Sequence, residues 1–182
     1  MHTLKRFQFP FHYAAYYIAW LLGVGWAARG EGWLATGVVL GITALQVVWQ
    51  YYVAERTRGL FRMVLCFTLM GSAADTLIMQ SGLIVFHANP FAPYLSPPWM
   101  WALWVNFAVV YYAVLSVFWG RYGVLAVVSL VSFPLVYLAG ERLGAVAFPF
   151  GDASAIVYGA VWVWLMPLCD YLYQRQGRCH DH

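Results

Sequence analysis

Charge is what this sequence has least of. Of its 182 residues only 9% are Asp, Glu, Lys or Arg, against roughly 25% in ordinary soluble domains. Lys5 is the sole lysine, so no lysine lies within the apolar part of the chain to form a Schiff base. The sequence also lacks HExxH, GxSxG, a P-loop and any clustered acidic metal motif, which leaves known hydrolase and ATPase chemistries without their residues. Its three cysteines, Cys66, Cys169 and Cys179, form no CxxC pair and predict neither a disulfide framework nor a zinc site. The terminal "CHDH" reads as an exposed end rather than a metal ligand set. A net charge of +3, carried by scattered loop residues, makes no basic patch for nucleic acid. No cofactor, metal or nucleic-acid partner is expected.

Apolar residues, by contrast, are abundant at 63% and fall in runs of about 18–25. Some 20 residues at ~1.5 Å rise cover the ~30 Å hydrocarbon core of a bilayer. The expected fold is therefore all-α: a polytopic membrane protein, one integral membrane domain over residues 1–182, with a six-transmembrane-helix bundle. The spans are expected near 11–28, 33–53, 61–84, 99–119, 122–143 and 154–173. The first has a basic start, as a signal peptide would, but is long and aromatic and lacks a small-x-small cleavage site, so it reads as an uncleaved helix. Between the third and fourth spans, "FHANPFAPYLSPPW" places four prolines in nine positions, which ends the helix and favours an extended segment roofing the bundle.

Orientation follows from the basic residues. With both termini cytoplasmic, Lys5, Arg6, Arg56, Arg58, Arg62, Arg121, Arg175 and Arg178 are inside and only Arg29 and Arg142 outside. That distribution predicts an N-in, C-in protein. Close helix approach is expected at Gly37/Gly41, Gly140/Gly144 and Ala15/Ala19, all small-xxx-small pairs. Tryptophans at span ends, including Trp33, Trp99, Trp101 and Trp119, read as interface anchors.

Function should show where polar groups lie inside spans, because each must find a partner in hydrocarbon. Asp75 is the clearest case. Counting residues inward from the outer ends places Asp75, Asn106, Ser132 and Tyr137 at similar depth, with Glu141 and Arg142 just above. These six are the candidate ligand-binding residues. Asp75 is expected to face the interior, with Asn106 and Tyr137 as donors and Arg142 as counter-ion. The same constellation reads either as a structural ion pair or as a site for a substrate, proton or lipid headgroup. Elsewhere, Glu55 with Arg56 and Arg58 reads as a solvated cytoplasmic cluster. Asp170 is expected to pair with Arg175 or a nearby loop, and Gln46 and Gln50 to form one interhelical hydrogen-bonding stripe. Residues 37–56 and 123–142 share Gly, Val, Tyr, Glu and Arg at the same spacing, which would make the second and fifth spans equivalent members of inverted halves.

From the third span onward the chain resembles the DUF2878 family of bacterial inner-membrane proteins. The resemblance is carried by "DTLIMQSGLIVF" (75–86), "PPWMWALWVNFA" (97–108) and "PLVYLAGERLGAVAF" (134–148). It implies a polytopic inner-membrane protein without an assigned activity. Some members are encoded near lipid-modifying enzymes, which implies such an enzyme as partner, alongside membrane lipid. Three function classes follow, in this order. The first is a non-enzymatic protein that binds a lipid or supports lipid modification. The second is a small transporter or substrate-binding transporter subunit, the "AYYIA" of the first span being loosely similar to that of energy-coupling-factor subunits. The third is an intramembrane lipid-modifying enzyme using Asp75 as acid or base.

Overall fold

A backbone in hydrocarbon has no water to satisfy its N–H and C=O groups, so long apolar runs close their hydrogen bonds internally as helices. A computed structural model of the chain describes residues 7–54 and 57–178. It contains six α-helices: α1 (Gln8–Ala28), α2 (Gly32–Trp49), α3 (Leu60–Gln80), α4 (Pro98–Ala113), α5 (Tyr122–Arg142) and α6 (Asp152–Arg178). Gln50–Ala54 continues α2 as a π-turn, and Leu115–Phe118 follows α4 as a 3₁₀ turn. Four segments are long and apolar enough to cross a membrane: Gly32–Ala54, Leu60–Gln80, Tyr122–Arg142 and Ala153–Arg175. Their outward faces expose Leu77, Val127, Leu135 and Trp164. Apolar surface on that scale belongs against lipid. The chain is an all-α membrane protein.

Two departures from the expected helices have local causes. The third helix stops at Gln80, four residues early, because Gly82 takes a left-handed φ of 78° and the Ser81 hydroxyl bonds the Ile78 carbonyl. Just beyond, Val85–Phe86 (β1) pair antiparallel with Val146–Ala147 (β2), a short ladder that the sequence pattern did not disclose. The fourth helix stops at Ala113 rather than near 119. There the chain turns toward Gly120, whose N–H is taken by Asp170.

The helix ends define two ends of the bundle. At the near end lie Gln8, the π-turn, Gly59, Ala113 and Gly120, joined by Gln8 to the Ala113 carbonyl and by Asp170 to Gly120. At the far end lie Gly32 beside Ala88, Ala28 beside Gly144, and the β1–β2 ladder. The far-end loop is pinned to the bundle as a cover. Gln80 donates to the Tyr94 carbonyl at 2.7 Å, Trp99 to the His87 carbonyl at 3.1 Å, and Trp101 to the Ser96 hydroxyl at 2.9 Å. Trp99 is thus buried, not an interface anchor.

α4 is the hub, with twelve of its sixteen residues buried. It packs on α1, α2 and α3, while α5 packs chiefly on α6. This pattern does not follow the inverted-repeat reading, in which α1–α2 and α4–α5 would be matching contacts; Glu55 and Arg56 of that echo lie outside the described residues. Of the residues expected at close approaches, Ala19 lies in a tight helix seam and Gly37 and Gly41 do not. Nothing lies within 4 Å of a side chain built on Gly37 or Gly41. The tight seam instead runs along Ala19, Gly23 and Ala27 of α1 against Ala35, Val39 and Thr43 of α2. On α6, Gly159 leaves room for the ring of Pro134, beside the Leu130 carbonyl that this proline deprives of its helical donor.

Candidate functional site

Asp75 lies on the buried face of α3 that also carries Phe67, Gly71, Ala74 and Ile78. Gly71, one turn earlier, has no side chain, and the indole of Trp104 occupies the space a Cβ would need. That close fit sets Trp104 Nε1 2.7 Å from Asp75 Oδ2. From α5 the Tyr137 hydroxyl donates to Oδ1 at 2.9 Å, and from α6 the Tyr158 hydroxyl donates to the same oxygen. One carboxyl group thereby joins four helices. Each of these residues sits five or six positions from its helix's far end, about 8–9 Å along the axis.

Asp75 is fully buried. A carboxylate removed from water is tolerable only with strong hydrogen bonding or a counter-ion. Among the described residues no cation pairs with it; three neutral donors serve instead. Flat rings wall the group. Trp104 stacks on Trp162 at 4.5 Å, Phe133 on Trp162 at 4.4 Å, and Tyr137 meets Tyr158 at 4.0 Å between centroids. α4 and the α5–α6 pair thus meet through aromatic side chains rather than by close backbone approach. Chemically the group can accept a proton, or exchange one tyrosine hydroxyl for another donor.

Of the six candidate residues the structure brings together Asp75 and Tyr137. Asn106 points elsewhere: it stands two residues, about 200° of helix, from Trp104 and so on the opposite side of α4. Its Nδ2 donates to Thr43 Oγ1 at 2.8 Å and to Gln46 Oε1 at 2.6 Å. Ser132 lies off the buried stripe of α5 and returns its hydroxyl to the Val128 carbonyl at 2.7 Å. Arg142 is exposed at the end of α5 and is not the counter-ion of Asp75. Glu141 accepts the Phe148 N–H at 3.1 Å and fixes the turn into β2. Trp104 and Tyr158 are the partners that sequence reasoning missed. The depth count that selected Tyr137 reaches both.

The glutamine stripe is present. Gln46 Nε2 donates to the His12 carbonyl at 3.1 Å, and Gln8 Nε2 reaches Gln50 Oε1 at 3.5 Å. Asp170 pairs with the neighbouring loop: it accepts from Gly120 N–H at 2.8 Å, Tyr111 at 3.0 Å and Gln174 at 2.5 Å. The Glu55–Arg56 charges and the "CHDH" tail lie outside the described residues.

A family model described as "Protein of unknown function (DUF2878)" matches residues 10–168. The likeness carried by residues 75–86, 97–108 and 134–148 thus extends back through α2 and nearly all of α1, and forward into α6. No curated protein and no solved structure matches the chain.

Proposed function

The chain belongs to the DUF2878 family, whose function is unknown, and from that premise we propose a multi-pass protein of the bacterial inner membrane that binds a membrane lipid beside Asp75. Six spans with both termini cytoplasmic is the topology that fits. Among the described residues Arg58, Arg62, Arg121 and Arg175 gather at the near end, while Arg29 and Arg142 sit at the far end. Basic residues favour the cytoplasmic side. Ser96 is buried and unsuited to labelling, whereas Ala92 is exposed in the far-end loop. A cysteine at Ala92 is expected to react with an impermeant thiol reagent from the periplasm; reaction only after lysis would reverse the orientation.

The lipid reading rests on one observation: Asp75 is a buried acid whose oxygens are held by neutral donors in an aromatic seam, with no counter-ion among the described residues. A headgroup hydroxyl or amine entering between α4 and the α5–α6 pair supplies the same hydrogen bond as a tyrosine. The acyl chains would follow the apolar outer faces of α5, where Val127, Val131 and Leu135 are exposed. In this role the protein holds a lipid and serves a lipid-modifying enzyme rather than transforming the lipid itself. Lipid extraction and mass spectrometry of the purified chain test the class. A lipid with a donor-bearing headgroup retained at a fixed ratio supports the reading. A small polar molecule in its place would move the protein to the transporter class, and conversion of the lipid would make it an enzyme.

A further inference from the structure

The near half of the bundle holds a second polar group that the Asp75 site does not use. His12 on α1, Gln46 and Gln50 on α2, and Asn106 on α4 are all fully buried. Four of their atoms have no hydrogen-bond partner among the described residues: both ring nitrogens of His12, Gln50 Nε2 and Asn106 Oδ1. Turning the amides over does not repair this. The His12 carbonyl requires the Nε2 of Gln46, which directs Gln46 Oε1 at Asn106. Asn106 must then present Nδ2 to Gln46 and to Thr43, leaving its Oδ1 bare. Each orphaned buried polar group costs roughly 1–3 kcal/mol, so a dry cluster of this kind would drain the stability of the helix seam.

A second feature marks the same place. The backbone widens into a π-turn beginning at Gln50, and such turns interrupt helices where a site needs backbone room. Gln8, one turn from His12 on the same face, lies toward the near end and reaches both Gln50 and the Ala113 carbonyl at 3.5 and 3.4 Å, long contacts that leave capacity unused.

We infer that α1, α2 and α4 enclose a hydration site in which ordered water bridges His12, Gln50 and Asn106. The ligand is set by the unmet groups. They comprise one amide donor, one carbonyl acceptor and an imidazole that, when neutral, donates once and accepts once. Water meets all of these, and two to four polar partners per molecule is its usual complement. It enters from the near end past Gln8. The site is independent of the lipid reading, on a different face of α4.

Water-edited magnetic resonance on the full chain, labelled with ring-¹⁵N histidine in lipid nanodiscs, tests the inference; His12→Gln identifies the His12 signals by their loss. Rapid transfer from water to the His12 ring is expected. In parallel, His12→Phe and Gln50→Leu are expected each to lower the melting temperature by roughly 2–8 °C. The double variant should lose less than the sum, because both remove partners of the same water. No transfer from water, with His12→Phe raising the melting temperature, would show a dry cluster and overturn the proposal. A small organic molecule found by mass spectrometry to leave with His12→Gln would overturn the identity of the ligand. If His12→Phe and Gln50→Leu fail to fold, the transfer experiment, assigned with His12→Gln, decides alone.

Discussion

The two polar clusters on either side of α4 solve the same problem differently. At Asp75 a group of formal negative charge is completed by donors from three other helices and walled by rings. At His12, Gln50 and Asn106 the groups include no carboxylate, yet four atoms find no protein partner among the described residues. Charge therefore does not decide which cluster is closed. What decides it is how many helices aim donors at one point. Trp104, Tyr137 and Tyr158 converge because each stands at the same depth and each side chain is long enough to cross a seam that the backbones do not close.

The largest effect that sharpens this contrast comes from Asp75→Ala. It strands three donors at once, and a loss on the order of 3–5 kcal/mol is expected by denaturant unfolding in detergent micelles. A loss below about 1 kcal/mol would mean that the donors find water and that the far cluster is as open as the near one. Next is Gly71→Val, whose side chain lands in the Trp104 indole. Overpacking of this kind costs about 1–3 kcal/mol and should change the tryptophan emission. Gly37→Ala, with nothing within 4 Å, should be neutral or slightly stabilising.

These two glycines also show what could be read from the chain. GxxxG spacing identifies Gly37 and Gly41 by local pattern, yet a close approach depends on what the partner helix presents, and α2 turns them away from it. The helices themselves were legible because apolar length is a local property; all six begin within three residues of the expected positions. Asp75 and Tyr137 were legible because depth along antiparallel helices can be counted. Rotation about each axis cannot be counted in that way. Asn106 and Ser132 were therefore assigned to the wrong face, and both lie deeper than Asp75, eight and ten residues from the far ends of their helices; Arg142 was given a reach that its exposed position does not use. Trp104 was obscured by the habit of reading tryptophans as interface residues. The β1–β2 ladder spans only two residues per strand, too short to leave a periodic signature.

The smallest expected effect is at Arg142. Its exposure at the end of α5 places the change in stability of Arg142→Gln within about 0.5 kcal/mol. Its effect should add to that of Asp75→Asn without coupling. Coupling above roughly 1 kcal/mol would restore the ion pair that the structure dissolves.

The central claim is that Asp75 holds a ligand as well as a fold, and lipid retained by Asp75→Asn tests it most directly. The substitution keeps the shape of the side chain while removing its charge and one of its two acceptor oxygens. Lipid should be quantified per mole of purified protein for wild type and variant, beside their melting temperatures. The account predicts a folded Asp75→Asn protein, somewhat less stable because its amide opposes a donor, that retains less than a tenth of the wild-type lipid. A variant that loses stability and keeps the wild-type lipid would contradict it, and Asp75 would then be a structural joint alone.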